Sequence, residues 1–185
     1  MITASVVTFH TSYVDLKRLL DCVLHSSIDI FFIIDNSSND SLREFASLSD
    51  KIVYIHSDNL GFGSGHNIAI RRSIELGAQY HAVINPDIYW EGDVAKLLAG
   101  FMDKQEDCGL VMPKVLYPNG DIQYLCKLLP TPMDLFGRRF IPFKAYQEKH
   151  DAWFELHRTG YAKVMEIPSL SGCFMFMRVG TLKQV

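Results

Sequence analysis

Long apolar runs are missing from this chain of 185 residues. Its most apolar stretch, Ile30 to Ile34, falls far short of the roughly 20 residues that a bilayer-spanning helix needs. An excess of positive charge is missing too. The 18 Lys and Arg stand against 21 Asp and Glu, for a formal net charge of −3, with both signs interspersed. A duplex-binding protein would normally carry a basic face, so no nucleic-acid partner is expected. Cysteine is sparse: Cys22, Cys108, Cys126 and Cys173 form no CxxC pair. That argues against a zinc site or disulfide framework and for a reducing compartment. The seven histidines show no metal-ligand spacing, and no Ser-His-Asp order or nucleophile elbow stands out. The opening MITASVVTF lacks the basic n-region of a signal peptide and reads as a first strand. These absences point to a cytoplasmic protein, with room only for a peripheral contact at the inner face of the plasma membrane.

What is present is the composition of a globular domain, 48% hydrophobic and 21% charged. Ile2–Thr8, Ile30–Ile34, Ile52–His56 and His81–Ile84 are short apolar runs that suit buried strands. Between them, Leu16, Leu19, Leu20, Val23 and Leu24 fall at helical spacing within Tyr13–His25. A short helix is expected over Ser41–Leu48 with Asp40 as its N-cap, and a longer one to about Leu76, ended by Gly77. Another follows over Asp93–Met102. Strand and helix alternating in this way imply a mostly parallel sheet covered by helices, an α/β domain. The second half is less regular. Leu110–Leu116 and Ile122–Leu125 flank Pro118-Asn119-Gly120, a hairpin signal. Leu129–Gly160 is loop-like with a helix expected over Tyr146–His157, and late strands are expected at Ala162–Ile167 and Cys173–Met177.

Ligands of open α/β sheets gather outside the carboxyl ends of the strands. Four successive strand ends here carry polar or glycine-rich groups: Thr8-Phe9-His10, Asp35-Asn36-Ser37-Ser38, Asn59 to Asn67, and Asn85-Pro86-Asp87. Asp35 suits either a base imide or ribose hydroxyl, or the organisation of its own DNSSND turn. Gly61, Gly63 and Gly65 allow close backbone approach ahead of a helix N-terminus. They do not make the dinucleotide pattern G-x-G-x-x-G, because His66 occupies the last position and the segment follows the third strand rather than the first. A nicotinamide-dependent dehydrogenase is therefore disfavoured. Asp87, on a strand end stiffened by Pro86, suits either one ligand position of Mg²⁺ or Mn²⁺ or a cap or turn before the next helix. His10 and His66 fall near this edge, whereas His25, His56 and His81 read as structural or exposed. Phe136–Tyr146 mixes cations and aromatics, which suits either a grip on an anionic acceptor or a lipid surface or a solvated loop with its aromatics tucked into the core; the lack of an amphipathic period favours the loop.

The segments SVVTFH, IIDNSSND, DNLGFGSGHNIAI, VINPDIYW, GLVMPKVLYPNGDIQ, LPTP and LSGCFMFMR together resemble family-two inverting glycosyltransferases of the GT-A type, in particular the rhamnosyltransferase-like branch. The resemblance implies one GT-A-like domain over residues 1–185, with a nucleotide-sugar-binding half at 1–105 and an acceptor-side half at 106–185. It implies a nucleotide-sugar site drawn from Thr8, Phe9, His10, Asp35, Ser37, Asn59, Gly61, Gly63, Gly65, Asn67, Asn85 and Asp87. Phe9-His10 stands where Tyr-Asn is commoner. Asn85 replaces the first carboxylate of a D-x-D motif, which leaves Asp87 to bind the divalent metal. Gly172 and Cys173 are implied to border the acceptor pocket. The general base of such enzymes falls in an acidic segment after that strand, so the domain is expected to be C-terminally incomplete, with its base beyond Val185. The implied activity is metal-dependent transfer of a sugar, rhamnose by the branch, from a dTDP- or UDP-sugar to a glycan or lipid-linked saccharide. The alternative is a non-catalytic nucleotide- or sugar-binding module.

Overall fold

The computed structural model describes residues 1–131 and 144–184. Much of Phe136–Tyr146 lies outside the described residues. The β-branched opening forms β1 (Ile2–Thr8), buried from Thr3 onward. It is followed by α1 (Tyr13–Leu24), β2 (Ile30–Asp35), a 3-10 helix (Ser41–Leu48), β3 (Ile52–His56), α2 (Phe62–Glu75), β4 (Tyr80–Ile84) and α3 (Val94–Met102). After these come β5 (Leu110–Val111), α4 (Lys144–Phe154), a second 3-10 turn (His157–Thr159), β6 (Phe174–Arg178) and α5 (Val179–Leu182). The six strands lie in the order β3-β2-β1-β4-β6-β5. The pairs β3-β2, β2-β1 and β1-β4 are parallel, and β6 runs antiparallel to both of its neighbours. The carboxyl ends of β1 to β4 therefore share one edge of the sheet, which the amino end of β6 joins.

The chain divides into two compact units, Met1–Pro113 with Gly172–Val185, and Lys114–Ser171. In the first, one face of the sheet presents Ala4, Val6, Phe31, Ile33, Ala82 and Ile84 to Leu16, Leu19, Leu20 and Val23 of α1 and to Ala95 and Met102 of α3. On the other face Val7, Phe32 and Ile34 pack with Ala69 of α2. Helix α2 ends as the sequence implies: the amides of Gly77 and Ala78 reach back to the carbonyls of Ile74 and Ser73.

Asp40 does not act as the expected side-chain cap; its carboxylate is drawn off by Arg43 Nε at 2.9 Å, and the segment winds as a 3-10 helix. The strand expected over Leu110–Leu116 stops at Val111, just before Pro113, which has no amide to give a ladder. In the second unit the Asn-Gly signal makes its turn, with the Tyr117 amide on the Asp121 carbonyl at 2.7 Å and a single Leu116–Ile122 bridge. Ala162–Ile167 forms no strand. Its β-branched Val164 is 78% exposed, and without a surface to cover, β-propensity does not build a strand. Tyr161 holds this unit's loops together, accepting from the Cys126 amide at 2.8 Å and donating to the Glu155 carbonyl at 3.0 Å. Among the described residues no helix is long and apolar enough to cross a membrane.

Candidate functional site

The shared carboxyl edge carries a cleft of about 730 Å³, lined by Phe9, His10, Asn36, Ser37, Ser38, His56, Ser57, Asp58 and Asn59. It opens over the ends of β1, β2 and β3. Of the residues singled out from sequence, Phe9, His10, Ser37 and Asn59 line it directly. The corner after β1 is held in an uncommon conformation: His10 has φ +51°, a left-handed backbone that side chains rarely adopt. Its amide donates to Ser37 Oγ at 2.9 Å, which ties the corner to the next strand end. His56, read from sequence as structural or exposed, also lines the cleft, with Nε2 donating to the Ser37 carbonyl at 2.8 Å.

Thr8 and Asp35 lie beneath this surface, both fully buried. Asp35 Oδ1 accepts from Thr8 Oγ1 and from the Ser37 amide, each at 3.0 Å, and Oδ2 accepts from Tyr54 Oη at 2.8 Å. Burial opposes the charge on this carboxyl, but the bonds from Ser37, Tyr54 and Thr8 outweigh it and hold the group below the ordinary carboxylate value. The Tyr54 hydroxyl is pushed well above the ordinary tyrosine range, first by burial and then by the Asp35 carboxylate beside it. Asn36 continues the ladder through its amide to the Thr8 carbonyl at 2.8 Å. Its side-chain Oδ1 is buried with no hydrogen-bond partner among the described residues. From sequence Asn36 is named only as part of the polar strand end and not among the expected site residues, although a carboxamide at the end of a buried strand is a signal in itself.

The glycine segment enters α2 beside this edge. Gly61 precedes the helix with φ +92°, and the Asn59 side chain accepts from its amide at 3.2 Å. Gly65 is required by packing, since a Cβ there would stand 2.7 Å from a Val7 methyl. Gly63 meets nothing within 4 Å, so its lack of a side chain leaves open space over the first turn. Asn67 is exposed. His66, placed near the site from sequence, points instead into the helix–sheet interface and is 3% exposed. There Ser5 Oγ bridges His66 Nδ1 at 2.8 Å and His81 Nε2 at 2.9 Å. His81 Nδ1 is met by Thr3 Oγ1 at 2.9 Å and Ser73 Oγ at 2.8 Å. Burial lowers the His66 pKa to about 4; burial, with His66 as a lesser cause, lowers that of His81 to about 3.

Asp87 lies in a turn after β4, exposed, and makes no hydrogen bond or ion pair among the described residues. The cap of α3 is Asp93, which accepts from the Lys96 amide at 3.1 Å while also binding Ser27. Asp87 is therefore not engaged as the helix cap. The Asn85 amide donates to the Cys173 carbonyl at 2.9 Å, which brings Gly172 and Cys173 beside the Asn-Pro-Asp corner. Phe62, at the start of α2, stands 3.8 Å from where a Gly172 Cβ would be. Among the described residues no group of three or more His, Cys, Asp or Glu is placed to hold a metal ion.

Comparison with known proteins agrees with this geometry. The low-salt glycan biosynthesis hexosyltransferase Agl10 of Haloferax volcanii is 30% identical over 118 residues, 62% of this chain and 37% of that protein. The chain thus spans little more than a third of that relative's length. Of solved structures, TarS of S. aureus superposes with a TM-score of 0.62 at 14% identity, over 99% of this chain and 29% of that one. The mannosyltransferase PcManGT of Pyrobaculum calidifontis, in complex with GDP-Man and Mn²⁺, gives 0.60 at 14% identity, over 99% of this chain and 46% of that one. These likenesses show the GT-A fold: a six-stranded mixed sheet flanked by helices. A model of the family described as glycosyl transferase family 2 matches residues 5–171, and to that family the chain belongs.

Proposed function

We propose that the protein belongs to a metal-dependent, inverting glycosyltransferase. It takes a sugar from a pyrimidine nucleotide diphosphate, dTDP-rhamnose by the branch resemblance, and passes it to a glycan or lipid-linked saccharide at the inner face of the membrane. The observation that carries this is the coincidence on one sheet edge of the β1-β2-β3 cleft and of Asp87, which follows β4 exposed and without a partner among the described residues. Such an edge seats a nucleoside at one place and its diphosphate at another. Phe9 offers an aromatic face to the base. Thr8, Asp35, Ser37 and the tied corner at His10 shape the floor and wall. Asn59 and the open backbone around Gly61 and Gly63 extend the wall, Gly65 being taken up by packing on Val7, and Asn67 continues it on the exposed side of α2. Gly172 and Cys173, the latter accepting at its carbonyl from the Asn85 amide, border the acceptor side.

A divalent ion fits Asp87 as one hard oxygen ligand. The carboxylate is exposed and has no partner among the described residues, as suits Mg²⁺ or Mn²⁺ completed by phosphate oxygens and water. When bound, the ion neutralises charge on the departing diphosphate. Asn85 contributes by fixing the turn that presents Asp87, its amide and carbonyl bonding the Cys173 carbonyl and the Ile88 amide. Inversion requires the acceptor hydroxyl to approach opposite the departing diphosphate, so donor and acceptor surfaces must meet at this corner.

Thermal-shift measurements with UDP, dTDP and NADH, each with Mn²⁺ or with EDTA, test the proposal. The expected result is stabilisation by a pyrimidine diphosphate that EDTA removes and Asp87→Ala abolishes. Stabilisation by NADH alone, independent of metal, would overturn it.

A further inference from the structure

The second unit, Lys114–Ser171, differs in charge from the rest of the chain. By sequence it holds eight Lys and Arg against six Asp and Glu, a balance of +2, whereas the remainder carries −5. Within this unit the Leu128 amide donates to the Phe154 carbonyl at 3.1 Å. Leu129 follows the first partner and Trp153 precedes the second, so the bond brings these two side chains to neighbouring positions. Both are large and apolar, yet Leu129 is 68% and Trp153 50% exposed. Cations flank them. The Lys127 side chain is 47% exposed. Lys149 lies one turn before Trp153 on α4, exposed and without a partner among the described residues. The acids nearby are mostly engaged: Asp151 stands 3.7 Å from His150 Nδ1, and Glu155 3.1 Å from His157 Nε2 and 3.8 Å from Lys127 Nζ. The last of these is an exposed pair of the kind that contributes little and leaves its lysine available. Glu148 remains exposed beside Lys149.

An exposed indole and leucine between lysines have the chemistry of a membrane interface. Indole favours the boundary where its ring meets hydrocarbon and its N–H stays wet. Lysine stems lie along apolar surface while their ammonium groups reach the phosphates of lipid headgroups. A small free anion would meet the lysines and give the apolar pair nothing. A neutral apolar partner would cover the pair and leave the lysines without countercharge. An anionic bilayer answers both. We propose that Leu129 and Trp153, flanked by Lys127 and Lys149, dock the second unit on an anionic lipid surface. The inference rests on the reading above in which the acceptor lies at a membrane, and supplies that reading with its surface of contact.

Co-sedimentation of the chain with vesicles of phosphatidylcholine, alone or with about one third phosphatidylglycerol, tests it. Wild type should bind the anionic vesicles about fivefold or more tightly than the neutral ones, and about 0.5 M NaCl should release it. Lys127→Gln and Lys149→Gln should each weaken binding about fivefold, the worth of one basic side chain at such a surface. Trp153→Ser should weaken it roughly tenfold through lost apolar contact. Trp90 and Trp153 are the two tryptophans, so indole emission should shift to the blue on anionic vesicles in wild type and not in Trp153→Phe. Leu97→Ser, exposed on α3, should bind as wild type does. All these positions are exposed, so melting temperatures should hold. Equal binding to the two kinds of vesicle overturns the inference, as does undiminished binding by Trp153→Ser and Lys149→Gln or an equal loss in Leu97→Ser. Absence of wild-type binding overturns it too, including where sedimentation equilibrium shows instead a dimer of the chain that Trp153→Ser dissolves. The vesicles carry no nucleotide, so each of these failures leaves the donor reading intact. Vesicle binding without any stabilisation by a pyrimidine diphosphate overturns the donor reading alone.

Discussion

Replacing Asp35 with Asn tests whether this carboxylate is a ligand contact or the lock of the strand-end turn. Three donors converge on it, the Thr8 hydroxyl, the Ser37 amide and the Tyr54 hydroxyl. An asparagine must turn its oxygen toward Thr8 and Ser37, because the Ser37 amide cannot accept, and the Tyr54 hydroxyl then has to accept from the new amide. Charge-assisted bonds are about twice as strong as neutral ones, so the exchange loses roughly 1 kcal/mol at each contact. Relief of the buried charge returns part of that, for a net loss of about 2 kcal/mol. In a domain of this size that lowers Tm by roughly 4–8 °C. Asp35→Ala leaves the Ser37 amide and the Tyr54 hydroxyl without this acceptor and Thr8 with only its long contact to the Ile34 carbonyl, and should cost about 4 kcal/mol. Scanning calorimetry should therefore order the proteins wild type, Asn, Ala in falling Tm. The acid limb adds a second readout. The folded pKa of Asp35 lies below its unfolded value, so its contribution is complete above the unfolded pKa, about 3.9, and is lost as pH falls through the folded one. Asp35→Asn should remove that part of the acid dependence. An Asn variant as stable as wild type but unable to bind nucleotide would refute the reasoning.

Two histidines set a different pH window. His66 and His81 are buried and neutral with folded values of about 4 and about 3, below the free value, so the unfolded chain gains protons first on acidification. Stability should be complete above about pH 6.5 and fall by up to roughly 1.4 kcal/mol per histidine per pH unit below it. Urea midpoints at pH 7 and pH 5 measure this, and equal midpoints would contradict it. Gly65→Ala should destabilise the fold by roughly 1–3 kcal/mol, because its methyl would stand 2.7 Å from Val7. Gly63→Ala should leave stability equal or raise it by up to about 1 kcal/mol, while weakening nucleotide binding if the donor occupies the open space; unchanged calorimetric affinity would place the ligand elsewhere. Asp93→Ala should cost about 1–2 kcal/mol in chemical denaturation through loss of the α3 cap. Asp87→Ala, at an exposed position without a partner among the described residues, should stay within about 0.5 kcal/mol of wild type.

The first four strands and their helices were legible because each is a short apolar run or an amphipathic repeat whose pattern survives in isolation. The strand ends were legible as a group for a topological reason: parallel strands deliver their carboxyl ends to one edge, so polarity at each end converges. What was hidden depends on long-range partners. Ser5 meets His66 and His81 across 61 and 76 residues of sequence, and nothing local marks either histidine as buried. The second half failed where β-propensity stood without a partner strand, as at Ala162–Ile167.

The opposite employment of Asp35 and Asn36 was hidden for a subtler reason. Both are polar, adjacent and at a strand end, so residue type does not tell them apart. Strand alternation does, since successive side chains point to opposite faces. Asp35 shares its face with Ile33, and Tyr54 pairs with Ile33 on β3, which delivers the tyrosine hydroxyl to the carboxylate. Thr8 pairs with Asp35 on β1 and delivers a second hydroxyl from the other side. Asn36, one residue on, passes out of reach of both. A carboxylate satisfied from two neighbouring strands can stay charged while buried, and it fixes the turn that sets Asn36 and Ser37 at the cleft. Ionised Asp35 thus serves the cleft by holding its floor.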